Sequence, residues 1–137
     1  MTLVLDSATA LSWFFRDKQT EGTRALLETV AKKGAVVPQH WRLEVGNGLQ
    51  SAVRLKMIEG WYRDACLADL SCLPIAPDLA TFDAAFGESL RLAARFSVSL
   101  YAASYLELSL RRALPLAAMD RELREAAGTL GIALVEI

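Results

Sequence analysis

Asp6 follows the apolar run Thr2 to Leu5, Asp120 follows Leu116 to Met119, and Glu44 stands among Trp41, Leu43 and Val45. Each acid has a structural explanation beside a chemical one. For the two aspartates the structural one is N-capping, in which a side-chain oxygen accepts from a free backbone N–H at a helix start. Ser7 or Thr9 could cap the first helix in place of Asp6. Asp120 lacks the Glu or Gln three residues on that completes a capping box, since Leu123 stands there. Glu44 lies near the start of a helix expected to pack inward, where a carboxylate needs a partner. Three carboxylates at one end of a fold repel one another; at ~5 Å and an effective dielectric near 20, each pair costs about 3 kcal/mol. A divalent cation turns that repulsion into binding, and oxygen ligands without His or Cys favour Mg²⁺ or Mn²⁺ over zinc. The chemistry of such a site is phosphoryl transfer, with the metal activating water and stabilising charge on the phosphate.

Other chemistries find less support. His40 is the only histidine, so a histidine-based zinc site and a Ser/His/Asp triad lack their parts. Cys66 and Cys72 match no metal or redox spacing and read as small core residues. No Gly-rich loop follows the first apolar run, which argues against a dinucleotide or P-loop protein. Asp6-Ser7-Ala8 lacks the second Asp of a haloacid-dehalogenase-type phosphatase.

The elements that must hold these acids follow from periodicity. Strands are expected at Thr2 to Leu5, Ala35 to Val37, Cys72 to Ile75, Leu116 to Ala118 and Ile132 to Val135. Helices are expected over Ala8 to Phe15, Glu21 to Lys33, Trp41 to Val53, Ile58 to Leu70, Leu100 to Arg112 and Arg121 to Ala127. A further long helix, capped by Asp78, carries Phe82, Phe86, Leu90 and Phe96 on one face. Short apolar strands separated by helices indicate a parallel sheet covered on both faces, a three-layer α/β/α sandwich with five strands. Such sheets place ligands outside the carboxyl ends of their strands, where Asp6 and Asp120 fall.

The 137 residues suit one domain, 1–137, with 53% apolar and 23% charged residues typical of a globular chain. No apolar block approaches the ~20 residues that span a bilayer, and the first residues lack the basic flank of a signal peptide. A cytoplasmic protein with no membrane partner is expected. The net charge of −1 says little about nucleic acid, so any phosphate contacts need local basic groups, of which Arg111-Arg112 and Arg121 with Arg124 are the best. A solvated helix face explains those arginines equally well.

Four segments carry a family resemblance. LVLDSATALSWFF looks like the opening strand, first acid and tryptophan-bearing helix of the PIN domains, and among them of the VapC-type toxins of bacterial toxin–antitoxin pairs. VPQHWRLEVGNGL resembles their second-acid motif, with Glu44 and Asn47 in the expected places. FSVSLYAASYLEL and LPLAAMDREL are similar to the third and fourth motifs. The match covers nearly the whole chain. It implies a five-stranded parallel sheet between helices and Mg²⁺- or Mn²⁺-dependent endoribonuclease action, usually by a homodimer. It also implies a cognate VapB-like antitoxin whose basic side chain blocks the acidic groove.

In the third motif the family places an Asp directly after the Tyr, whereas Ala102 follows Tyr101 here. A methyl group cannot bind metal. Glu107, about 500° further round a helix, points elsewhere, and Ser104 is a weak substitute. Two origins fit Ala102: a natural protein with an impaired site, or an alanine introduced to disarm a toxic enzyme. The expected ligands are then Asp6, Glu44 and Asp120, with Asn47 as a substrate contact or support. Thr9 and Ser7 would orient Asp6 or a bound water. The alternative is a catalytically inactive PIN-fold module that binds RNA or a protein.

Overall fold

The computed structural model describes residues 2–137, so of the expected domain only Met1 lies outside the described residues. Four apolar runs form strands: β1 (Val4–Leu5), β2 (Ala35–Val37), β3 (Ile75–Pro77) and β4 (Leu116–Ala117). They pair in parallel in the order β3-β2-β1-β4. Every residue of β1, β2 and β4 is buried. That explains why these strands are apolar throughout rather than alternating. Pro77, which has no N–H to give, lies in β3 on the edge of the sheet.

The sheet has four strands, not the five expected. Ile132 to Val135 makes one parallel bridge, Leu134 to Leu116. It rests on two backbone bonds of 2.9 Å, from Leu116 N–H to Ala133 O and from Val135 N–H to Leu116 O. With only two residues in β4, the outer edge offers too little ladder for a full fifth strand.

Seven helices flank the sheet: α1 (Ser7–Ser12), α2 (Glu21–Lys33), α3 (Trp41–Arg54), α4 (Gly60–Ser71), α5 (Glu88–Phe96), α6 (Leu100–Arg112) and α7 (Arg121–Thr129). The chain is thus a mixed α/β structure with a parallel sheet between helices. Helix α2 starts at a reciprocal Thr20–Thr23 capping box and ends at Gly34, whose φ of 77° suits glycine. Helix α1 stops at Ser12, shorter than expected, and a 3₁₀ turn at Arg16–Lys18 follows. Trp13 packs in the core, donating its indole N–H to Thr23 O at 2.8 Å. Cys72 and Leu73 still close α4 through bonds to Asp69 O and Leu70 O, which delays β3 to Ile75.

The long helix expected from Asp78 does not form. Turns run from Leu79 to Gly87, and α5 begins only at Glu88. Asp78 caps no helix there: its carboxylate is held mainly by Arg111, with Nη2 at 2.5 Å and Nη1 at 3.1 Å, and accepts from Ala80 and Thr81 only within the turn that follows. Arg111 also donates from Nε to Glu107, one turn back on α6, at 2.6 Å, and it is the Asp78 pair that ties the end of α6 to the segment after β3. Phe82 and Phe86, expected on a packed face, are 63% and 92% exposed. No helix among the described residues is long and apolar enough to cross a membrane.

Helix α6 is buried from Ala103 to Ser109 and packs on β1 and β4. Helix α3 packs on α1, and glycine permits the closeness: a Cβ on Gly48 would lie 2.5 Å from Leu11 Cδ1. These two contacts bring α3 and α6 to the end of the sheet where β1 and β4 finish.

Candidate functional site

Asp6 and Asp120 both leave the sheet at its carboxyl edge. Leu5 pairs with Ala117, and Asp6 N–H continues the ladder to Ala117 O at 3.0 Å. Each aspartate caps the helix it precedes. Asp6 Oδ1 accepts from Thr9 N–H at 2.8 Å, and Asp120 Oδ2 accepts from Leu123 N–H at 2.9 Å. The capping that Ser7 or Thr9 could have supplied therefore falls to Asp6.

Asp6 is 4% exposed, and its carboxyl is pushed up to about 6. Burial is the main cause; Thr9 opposes it, while the charges of Glu44 and Asp120 add to the rise. Asp6 thus lies within electrostatic reach of both Glu44 and Asp120. Among the described residues, no three His, Cys, Asp or Glu side chains are drawn together tightly enough to form a ready metal-holding group.

Glu44, in the first turn of α3, finds its partners inside the protein. His40 Nδ1 lies 2.8 Å from Oε1, and the Tyr105 hydroxyl donates to the same oxygen at 2.6 Å. Burial alone would raise Glu44, but these two bonds, the charge of His40 and the nearby Ser7 outweigh it and hold the carboxyl below its usual value. Tyr105 moves the other way: burial first, then the Glu44 charge, pushes its hydroxyl far up, so it keeps its proton and donates.

Behind this pair lies a short chain of contacts. His40 is buried, and its Nε2 lies 2.6 Å from Ser104 Oγ. The Ser104 hydroxyl donates to Tyr101 O at 2.5 Å. The rings of Tyr101 and Tyr105 meet His40 edge-on, at centroid distances of 5.3 and 5.8 Å. Ser104 thus acts on His40 rather than on an acid directly. Thr9 is buried beside Asp6, and its hydroxyl and backbone N–H both act to lower that acid. Asn47 is exposed, three residues after Glu44 on α3. Ala102 is half-buried in the first turn of α6, where its N–H donates to Ser99 Oγ at 3.1 Å.

His40 and Tyr105 were not among the residues expected at the site. His40 carried one available signal, its position four residues before Glu44, which puts both side chains on one helix face. Tyr105 lies 61 residues from Glu44 and carried none.

The chemistry of the three acids is that of hard-cation ligands. Each acid has committed one oxygen to the bonds above, which leaves Asp6 Oδ2, Glu44 Oε2 and Asp120 Oδ1 outside them. Carboxylate oxygens of this kind suit Mg²⁺ or Mn²⁺. The arginines that could have met phosphate have partners within the protein. Arg111 serves Asp78 and Glu107, Arg121 pairs with Glu125, and Arg124 donates to Ala118 O at 2.7 Å. Arg111 is therefore no free phosphate contact.

No protein-family model matches the chain, and no curated protein sequence matches it. Among solved structures, PAE2754 from Pyrobaculum aerophilum shares the fold with a TM-score of 0.68 at 20% identity, over 92% of this chain and 86% of that one.

Proposed function

We propose that this chain is a PIN-type, VapC-like endoribonuclease toxin, dependent on Mg²⁺ or Mn²⁺, with its helices and parallel sheet in a three-layer α/β/α arrangement. One observation carries the reading. Asp6, buried where β1 ends, and Asp120, beyond β4, stand at the same carboxyl edge of the sheet because Leu5 pairs with Ala117, and the charge of Glu44 also reaches Asp6, a concentration of negative charge that a cation would neutralise. The sequence resemblance supplies the substrate class, RNA.

In this reading Asp6, Glu44 and Asp120 hold the metal, which when bound activates water and stabilises charge on the phosphate. The helix caps keep Asp6 and Asp120 in place by fixing one oxygen of each. Ser7 and Thr9 line the acid pair, and exposed Asn47 is placed to meet the RNA backbone. Ala102 stands where a further acid belongs and weakens the site. A homodimer, a cytoplasmic setting and a VapB-like antitoxin with a basic tip belong to the same reading. Exposed Leu79, Phe82, Phe86 and Leu90 are apolar surface that protein contacts would cover.

The second reading is a PIN-fold module that binds RNA or protein without cutting. Glu44 favours it, because its two internal donors satisfy an oxygen without any metal. Incubation of the protein with structured RNA and Mn²⁺ separates the two. Slow cleavage that stops with a chelator and in Asp6→Asn supports the nuclease; RNA retained uncut by a folded protein supports the module.

A further inference from the structure

We propose that His40 and Tyr105 are positioning residues that fix the Glu44 carboxylate for cation binding, an inference that rests on the nuclease reading. The two donors come from different elements. His40 precedes α3, and Tyr105 lies mid-way along α6. Both converge on Oε1, at 2.8 and 2.6 Å, leaving Oε2 as the oxygen outside their bonds. A carboxylate free to rotate about its side-chain torsions would offer either oxygen at varying angles. Two donors on one oxygen remove that freedom and define which oxygen remains for a ligand.

The donors are themselves held. A carboxylate oxygen accepts, so His40 Nδ1 is the donor of the 2.8 Å bond. The other ring nitrogen is anchored on Ser104 Oγ at 2.6 Å, and Ser104 is anchored on Tyr101 O. The imidazole is buried between the edges of two tyrosine rings. A hydrogen-bonded support of this depth behind one carboxylate exceeds what satisfying a half-buried acid requires, since either donor alone would satisfy Oε1.

The test is Mn²⁺ affinity measured by titration calorimetry on the folded full chain, with a melting curve for every variant. Tyr105→Phe keeps the ring and removes the donor; His40→Leu removes the other. Each is expected to weaken Mn²⁺ binding by about 10-fold or more. His40→Asn places an amide nitrogen close to the position of Nδ1, and is expected to recover affinity to within a few-fold. In cleavage assays the apparent metal requirement should rise while the KM for RNA stays level. Should His40→Leu fail to fold, Tyr105→Phe decides alone. If the parent binds Mn²⁺ and these variants bind it equally, or if His40→Asn is as weak as His40→Leu, the positioning role is overturned and the nuclease reading stands. If neither the parent nor Ala102→Asp binds Mn²⁺, the nuclease reading falls and this inference with it.

Discussion

Leu5 pairs with Ala117 across β1 and β4, and that single register sets Asp6 and Asp120 at the same edge of the sheet. Asp6 follows β1 directly, whereas Ala118 and Met119 stand between β4 and Asp120, and each acid caps the helix that comes next. Glu44 enters from α3, which α1 carries against the same edge.

Asp6 makes the stability of the metal-free protein depend on pH. Its folded value, about 6, lies above the ordinary 3.8, so the native state binds the proton more tightly than the unfolded chain. The stabilisation is fully present below pH 4 and is lost as pH rises through 6. At about 1.4 kcal/mol per pH unit, the loss approaches about 3 kcal/mol. Asp6→Asn keeps a good helix cap and removes the charge. Urea unfolding is expected to show the variant more stable than the parent at pH 8 and equal to it at pH 4. Mn²⁺ should raise the melting temperature of the parent alone. A parent whose stability is flat between pH 4 and 8 would contradict the buried-acid assignment.

Arg111 has a structural task. Its side chain is the cation for Asp78 and Glu107, both 6% exposed at the side chain. Burial alone would raise Asp78, but Arg111, aided by Ala80 and Arg112, holds it below its usual value. That contribution is present above pH 4 and fades as the solution becomes more acidic. Arg111→Met leaves Glu107 without its cation and Asp78 with only the more distant Arg112, and is expected to cost about 1–3 kcal/mol at pH 7. Denaturant titrations at pH 7 and pH 3 should show the difference between the proteins shrinking in acid. RNA cleavage per folded molecule should be unchanged; a selective loss of RNA binding would make Arg111 a substrate contact instead.

What was legible in the sequence was what local chemistry decides. The bounds expected for α2, Glu21 to Lys33, and for α6, Leu100 to Arg112, are those observed, because the caps that set them, at Thr20, Gly34 and Ser99, act within one turn. Asp6 and Asp120 stand out because each ends an apolar run. Long-range pairing was not legible. Asp78 looked like a helix cap after Pro77, yet Arg111, 33 residues on, takes its carboxylate, and Gly87 interrupts the helical pattern. The last apolar run, Ile132 to Val135, had the composition of a strand, but the two-residue length of β4 reduced it to one bridge. His40 looked like an isolated histidine until α6 brought Ser104 and Tyr105 to it.

The most direct test is to restore the carboxylate at position 102. Ala102 is half-buried in the first turn of α6, where an acid is favoured by the helix dipole by about 0.3–1 kcal/mol, so Ala102→Asp should fold with a similar melting temperature. With Mg²⁺ or Mn²⁺ it should cut structured RNA at least ~100-fold faster than the parent, the size expected for a group that stabilises charge at a catalytic site. Asp6→Asn and Asp120→Asn should each abolish that gain, and expression of Ala102→Asp without antitoxin should slow growth. A folded Ala102→Asp protein that binds Mn²⁺ no better and cuts no faster than the parent would contradict the nuclease and leave the binding module.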